Sequence, residues 1–242
     1  VIKLDAATVL LQWATGGLLF LWVTTRRGQA GPGYNWLLKG VYAALAIGAL
    51  AAGGLVDAVP VREVASAGVA LTAIATLTRR RPSWADLIPP AIGVVGLVAS
   101  AVNAGGPHGL AIARTLIGAA FLGAVTDAML LGHWYLVQPK LGREPLRELN
   151  RWLVILWPFE VAVLLWPTGM VSVLNGTIDD GYGGMLGWFW VACAIATIVL
   201  AFVTIAALKE RAYSAVMAAT GLLYLAILTA FGTDLVARAL LT

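Results

Sequence analysis

The chain has one cysteine, two histidines and few charges, with Asp, Glu, Lys and Arg together making up 12% of its 242 residues. Each scarcity excludes a class of chemistry. A lone Cys193 closes no internal disulfide and supplies no CxxC pair, so thiol–disulfide exchange is out. There is no tight His/Cys/Asp cluster of the kind zinc needs, and no serine or cysteine nucleophile stands beside a histidine. No glycine-rich phosphate loop is present. Lys39 and Lys209 lie at the ends of apolar runs, which leaves no mid-span lysine for a retinal-type Schiff base. An enzyme acting on its own is not expected, and no metal site is expected.

What fills the chain instead is apolar residue. Hydrophobic residues reach 60%, and the mean hydropathy of +0.88 is too high for a water-soluble domain of this size. A helix crossing the roughly 30 Å hydrocarbon core needs about 20 residues. Apolar runs between charges and turn formers give eight such stretches: 6–25, 36–57, 62–78, 85–103, 109–137, 152–174, 183–208 and 212–241. The expected fold is all-α: a polytopic integral membrane helix bundle of about eight transmembrane helices, forming a single transmembrane domain over residues 1–242. Glycine-rich connections such as 28–34 and 175–184 punctuate it.

Charge sets the expected orientation. Arg26, Arg27, Lys39, Arg79, Arg80, Arg81, Lys140, Arg143, Arg147, Arg151, Lys209 and Arg211 all fall on one side, twelve of the sixteen basic residues. The positive-inside rule makes that side cytoplasmic. Asp5, Asp57, Glu63, Asp179, Asp180 and Asp234 fall on the other, where both termini are expected. Residues 6–25 lack a basic region before them and read as a first span, not a cleavable signal. The excess of positive charge is thus spent on orientation and asks for no nucleic-acid partner. The expected setting is a lipid bilayer, of the bacterial inner or plasma membrane kind, among other membrane subunits.

Two features have plain packing explanations. Gly16, Gly17, Gly48, Gly53, Gly93, Gly96, Gly118 and Gly123 let helix backbones approach closely. Trp13, Trp36, Trp84, Trp134, Trp152, Trp188 and Trp190 fall near span ends, where indoles settle at the headgroups.

Ionisable groups inside spans are costly and default to functional candidates. Asp127, His133 and Glu160 are the leading ones, all expected in the cytoplasmic half, where a carboxyl, an imidazole and a second carboxyl could relay protons or serve a quinone carbonyl. Glu160 stands between two Trp-Pro pairs, and Pro158 and Pro167 free the carbonyls of Val154 and Val163. His133 also reads as part of an interfacial belt, His133-Trp134-Tyr135. Secondary candidates are His108, Met129, Arg114 and Asp234. Asp234 is expected to pair with Arg238 one turn on, and Arg114 to reach the headgroups, Asp57 or Asp234. His108 and His133 are 25 residues apart, about 37 Å along a helix, so they share no haem within one chain. A His/Met haem would take a methionine from another helix, Met217 for His133. The loop 175–184 has the oxygen content of a loose cation loop without EF-hand spacing, and reads as a solvated turn.

The leading expectation is a subunit or accessory protein of an electron-transfer and proton-handling membrane complex, linked to quinone or haem. Two alternatives stand beside it: a small-solute or ion transporter with a proton-coupled acidic site at Glu160, and a non-catalytic membrane scaffold.

Overall fold

The computed structural model describes residues 4–56, 58–79 and 82–241. Asp57, Arg80 and Arg81 of the charge count lie outside the described residues. Within them the chain is helical and has no strand: α1 (Ala6–Thr25), α2 (Pro32–Leu55), α3 (Pro60–Ala75), α4 (Ile88–Asn103), α5 (His108–Trp134), α6 (Glu144–Leu165), α7 (Gly169–Leu174), α8 (Met185–Ala207) and α9 (Tyr213–Leu241). A short 3₁₀ turn, Trp84–Leu87, leads into α4.

Local chemistry sets these boundaries. Asp5 caps α1 by accepting from the Thr8 amide, and prolines open α2, α3, α4 and α6, where a missing amide hydrogen costs nothing. Inside the apolar helices, Thr24, Thr25, Thr197, Thr204, Thr220 and Thr233 each donate their hydroxyl to the carbonyl one turn back. That keeps their oxygens satisfied without water.

Counting the 3₁₀ turn with α4, six helices are long and apolar enough to cross a bilayer: α1, α2, 84–103, α5, α8 and α9. The count is six among the described residues where eight were expected, and the two shortfalls have physical causes. The run 62–78 yields α3, whose 16 residues reach about 24 Å, short of the hydrocarbon thickness. The run 152–174 belongs to a helix that opens earlier, at Glu144, carries Arg147, Glu148 and Arg151 in its first turns and stops at Leu165 before the short α7. Large apolar side chains face outward around the bundle, among them Leu55, Val64, Leu71, Phe202 and Leu228, each more than half exposed. Only 33% of the most apolar stretch of α8 is buried. Water would not tolerate that surface and lipid requires it. The protein is an integral membrane helix bundle.

Each half of the chain closes a ring of four helices. In the first, α1 packs on α2, α2 on α3, α3 on α4 and α4 back on α1; in the second, α5 packs on α6, α6 on α8, α8 on α9 and α9 on α5. The rings join along α1 and α5, where Gly16 lies against the backbone of Ala119 and Gly123 so closely that a Cβ on Gly16 would stand 1.7 Å from the Ala119 carbonyl oxygen.

Successive long helices run in opposite directions, so the bundle has two ends. At one end gather the basic connections: Arg26 and Arg27 pair with Glu148, Arg147 donates to the Leu208 carbonyl, and Arg143 to the carbonyls of Arg211 and Ala212. This is the basic end. Lys39 belongs near it but does not merely flank a loop as expected. It is 2% exposed, eight residues into its helix line, and holds Asp86 at 2.6 Å and the Thr76 carbonyl at 3.0 Å. The opposite, acidic end holds Asp5, Glu63, Asp179, Asp180 and Asp234. There Arg62, 1% exposed, binds Asp5 at 2.6 Å and Glu63 at 2.7 Å, stapling the start of α3 to the start of α1.

Candidate functional site

The three leading candidates occupy three different places. Asp127 is fully buried in α5 between two tyrosines. Its Oδ1 accepts from the Tyr42 hydroxyl at 3.0 Å, and its backbone carbonyl from Tyr34 at 3.3 Å. Gly17 leaves the room that the Tyr42 ring fills. His133 sits two turns further along α5 on a different face, exposed at the basic end, its ring edge-on to Tyr224 with the hydroxyl 3.2–3.3 Å from its nitrogens. Glu160 belongs to the other half of the membrane. It is the seventeenth residue of α6, and its charged neighbours are Asp234 and Arg238 of α9 and Arg114 of α5. Arg114 and Asp127 are thirteen residues apart on one helix, about 20 Å. One relay through all three candidates does not exist in this fold.

The secondary candidates sort the same way. His108 opens α5 at the acidic end, exposed, with the whole helix between it and His133. Met129 is half-buried against the main core, as is Met217. Among the described residues no three His, Cys, Asp or Glu side chains gather as a metal site. Arg114 and Asp234 join Glu160.

That convergence is built from four helices. Arg238 donates through Nε to Asp234 at 2.8 Å, one turn away as the spacing implied, and through Nη2 to the Arg114 carbonyl at 3.1 Å. Gln12 of α1, fully buried, donates to both Asp234 oxygens at 3.3 Å. Gly118 makes the meeting possible, because a Cβ there would lie 2.5 Å from both Asp234 and Gln12. Arg114 reaches across to α6, donating Nε to the Val163 carbonyl at 2.8 Å and Nη2 to that of Trp166 at 2.7 Å. Pro167 has no amide to return to Val163, so the freed carbonyl expected from sequence is the one the guanidinium takes.

Glu160 completes the cluster and is the anomaly in it. Its carboxyl is wholly buried and faces that of Asp234 closely enough for one proton to bridge the pair, yet as placed neither Glu160 oxygen meets a hydrogen-bond partner among the described residues. The other buried acids among the described residues, Asp86, Asp127, Asp180 and Asp234, each accept from at least one donor; this one does not. Comparison with protein-family models, with curated proteins and with solved structures finds no match. The side chains themselves must therefore supply the functional reading.

Next to the cluster a cleft of about 280 Å³ opens among the ends of α1, α4, α5, α6 and α9. Arg114 and Arg238 line it, with Asp5, Thr8, Ser100 and Thr115 as further polar groups and leucines and alanines for the rest. Sequence reasoning missed this cleft, and it missed Gln12, Ser100 and Arg62. Arg62-Glu63 was the readable signal: two opposite charges opening a span on the side poor in basic residues.

The loop 175–184 is ordered by its own acid. Asp180, 3% exposed, accepts from the amides of Gly184 at 2.8 Å, Tyr182 at 2.9 Å and Leu186 at 2.8 Å. These amides, Gly184 foremost, hold its carboxyl below the usual aspartate range. Gly181, Gly183 and Gly184 supply the positive φ values the turn needs. Asp180 thus organises the entry to α8.

Proposed function

We propose that the chain is a proton-coupled membrane protein of the solute- or ion-handling kind, in which Glu160 takes up and releases the coupling proton. The observation that carries this reading is the pairing of a wholly buried, donor-less Glu160 with Asp234 between two arginines. An ionised carboxylate buried without donors costs on the order of several kcal/mol. A protonated Glu160 instead donates to Asp234, whose charge Arg238 already balances. Small movements of α6, which is interrupted at its acidic end by Pro167 and the break before α7, would change which of the two carboxyls holds the proton and whether it meets water.

Isotope-edited infrared difference spectroscopy on the reconstituted protein tests this. A protonated carboxyl band that disappears in Glu160→Gln and shifts in Asp234→Asn is the expected result. A band that survives both substitutions unchanged removes Glu160 as the coupling acid.

The electron-transfer reading keeps one supporting observation: the exposed His133–Tyr224 pair at the basic end, which offers a ring nitrogen and a phenol together at the membrane surface. Organic extraction of gently solubilised protein, with mass analysis for quinone, tests it. Stoichiometric quinone that is lost in His133→Ala supports the reading, and its absence leaves the proton-coupled reading alone.

A further inference from the structure

We infer that the cleft at the acidic end binds an organic oxyanion, a carboxylate or phosphate on a small apolar body, with Arg114 and Arg238 holding the charge and Glu160 in its protonated form beside them. The inference rests on the proton-exchanging role proposed for Glu160, and adds a ligand class and a site.

Charge balance is the first argument. The cluster contains two guanidiniums, Arg114 and Arg238, and two carboxyls, Asp234 and Glu160. Arg114 spends its hydrogen bonds on carbonyls, which carry no net charge, so a protonated Glu160 leaves it without a carboxylate partner among the described residues. That guanidinium stands beside a cleft that both arginines line. An anion there would give Arg114 a charged partner. Asp5 at the rim is held by Arg62 at 2.6 Å, which also binds Glu63. The first turn of α5 borders the same cleft through Leu110 and Ala111 and adds the positive end of a 27-residue helix.

An unused donor is the second argument. Ser100 of α4 lines the cleft, is 7% exposed, and its hydroxyl has no hydrogen-bond partner among the described residues. A buried hydroxyl is rarely left so, and a ligand oxygen would satisfy it.

Size and lining give the third. About 280 Å³ falls just below the roughly 300–1,000 Å³ found for ligand sites, which suits a small ligand, and Leu4, Val9, Leu110, Leu164 and Leu241 give it apolar walls. A hydrated inorganic ion would waste those walls, whereas a short-chain acid or the first part of an anionic lipid would use them. The charged groups facing Glu160 are Asp234 and Arg238 on α9 and Arg114 on α5, with Asp5 of α1 acting on Arg238; α7 and α8 bring no charged side chain. Loss of anion binding as pH rises is therefore assigned to Glu160, whose ionised carboxyl would neutralise Arg114 and repel the anion.

Calorimetric titration of the full chain in nanodiscs of zwitterionic lipid tests the inference, with hexanoate, dihexanoyl phosphatidic acid and the neutral control hexanol as probes. Either anion should bind and hexanol should not. Affinity for hexanoate should fall as pH rises through the titration of Glu160, and that dependence should be absent in Glu160→Gln. Hexanoate binding points to a free acid as ligand, and binding confined to the phosphatidic acid points to a lipid headgroup. Arg114→Gln should weaken binding at least tenfold, and Leu110→Trp, which fills the mouth and leaves the arginines in place, should abolish it. Anion binding that persists in both variants, or hexanol binding as tightly, overturns the site. Hexanoate binding whose pH dependence is unchanged in Glu160→Gln overturns the coupling and with it the role proposed for Glu160. No anion binding in a protein whose Glu160 infrared band is present overturns the cleft inference alone.

Discussion

Asp180 and Glu160 are both buried carboxyls near the acidic end, and their surroundings give them opposite tasks. Asp180 has three amides pointed at its oxygens, which favour the ionised form and set the start of α8. Its carboxyl titrates below the usual aspartate value of about 3.9, so its contribution to stability is fully present above that value. The contribution is lost as pH falls through the lowered one. Asp180→Ala should therefore lower the thermal midpoint of detergent-solubilised protein at neutral pH, with the gap from the parent closing as the pH is brought down through the carboxylate range. A gap that is constant with pH would mean the carboxylate charge is not what holds the loop. Sequence alone placed this loop correctly as a turn but not Asp180's role in it, since the pairing of an acid with amides two to six residues on depends on the glycine conformations between them. Asp127 was legible as buried and costly, while the tyrosines that hold it, Tyr34 and Tyr42, come from α2 and carry no local signal of the meeting.

At the scale of helices, the small residues were the readable part and the depth of α6 the unreadable one. Gly16 and Gly123 were expected to let helices approach, and they form the closest contact of the two four-helix rings. Gly16→Ala should cost about 1–3 kcal/mol, since the added methyl meets a carbonyl of α5 and no rotamer can turn it away. Gly40→Ala, on an exposed face of α2 with nothing near its Cβ, should be neutral or stabilising by up to about 1 kcal/mol. Unfolding titrations in mixed micelles compare the two, and equal effects would deny the α1–α5 contact its place in stability. Glu160 was assigned to the wrong half of the membrane because its depth was counted from Arg151, the last charge of the run. The helix in fact begins at Glu144: Leu146, Leu149, Asn150 and Leu153 bury one face of its first turns while Arg147 and Glu148 bind other elements on the other. A run of charges on one face does not end a helix whose opposite face is packed, and from sequence the two cases look alike.

For the whole molecule, the orientation in the membrane decides from which compartment the proposed proton and anion arrive. The basic connections gather at one end of the bundle, and the positive-inside rule predicts that this end meets the cytoplasm, with the Arg114–Arg238 cleft then facing outside. Single cysteines introduced on a Cys193→Ala background test this with an impermeant maleimide in right-side-out vesicles. Cys193 is itself 5% exposed and packs over Gly232, and alanine removes its sulfur without adding bulk. Thr177→Cys should label from outside, and Lys140→Cys only after the vesicles are opened. Leu55→Cys and Thr78→Cys bracket α3, whose 16 residues span about 24 Å. Lys39 reaching the Thr76 carbonyl at one end of α3, and Glu63 sitting in the space left by Gly53 at the other, make α3 run antiparallel along α2 for most of its length. The two cysteines should then label from opposite sides, with the bilayer thinning around α3 to match its length. Labelling of both from one side would leave α3 dipping into a single leaflet. The direction of every later helix would then have to be read again, and the side that Glu160 exchanges with would change accordingly.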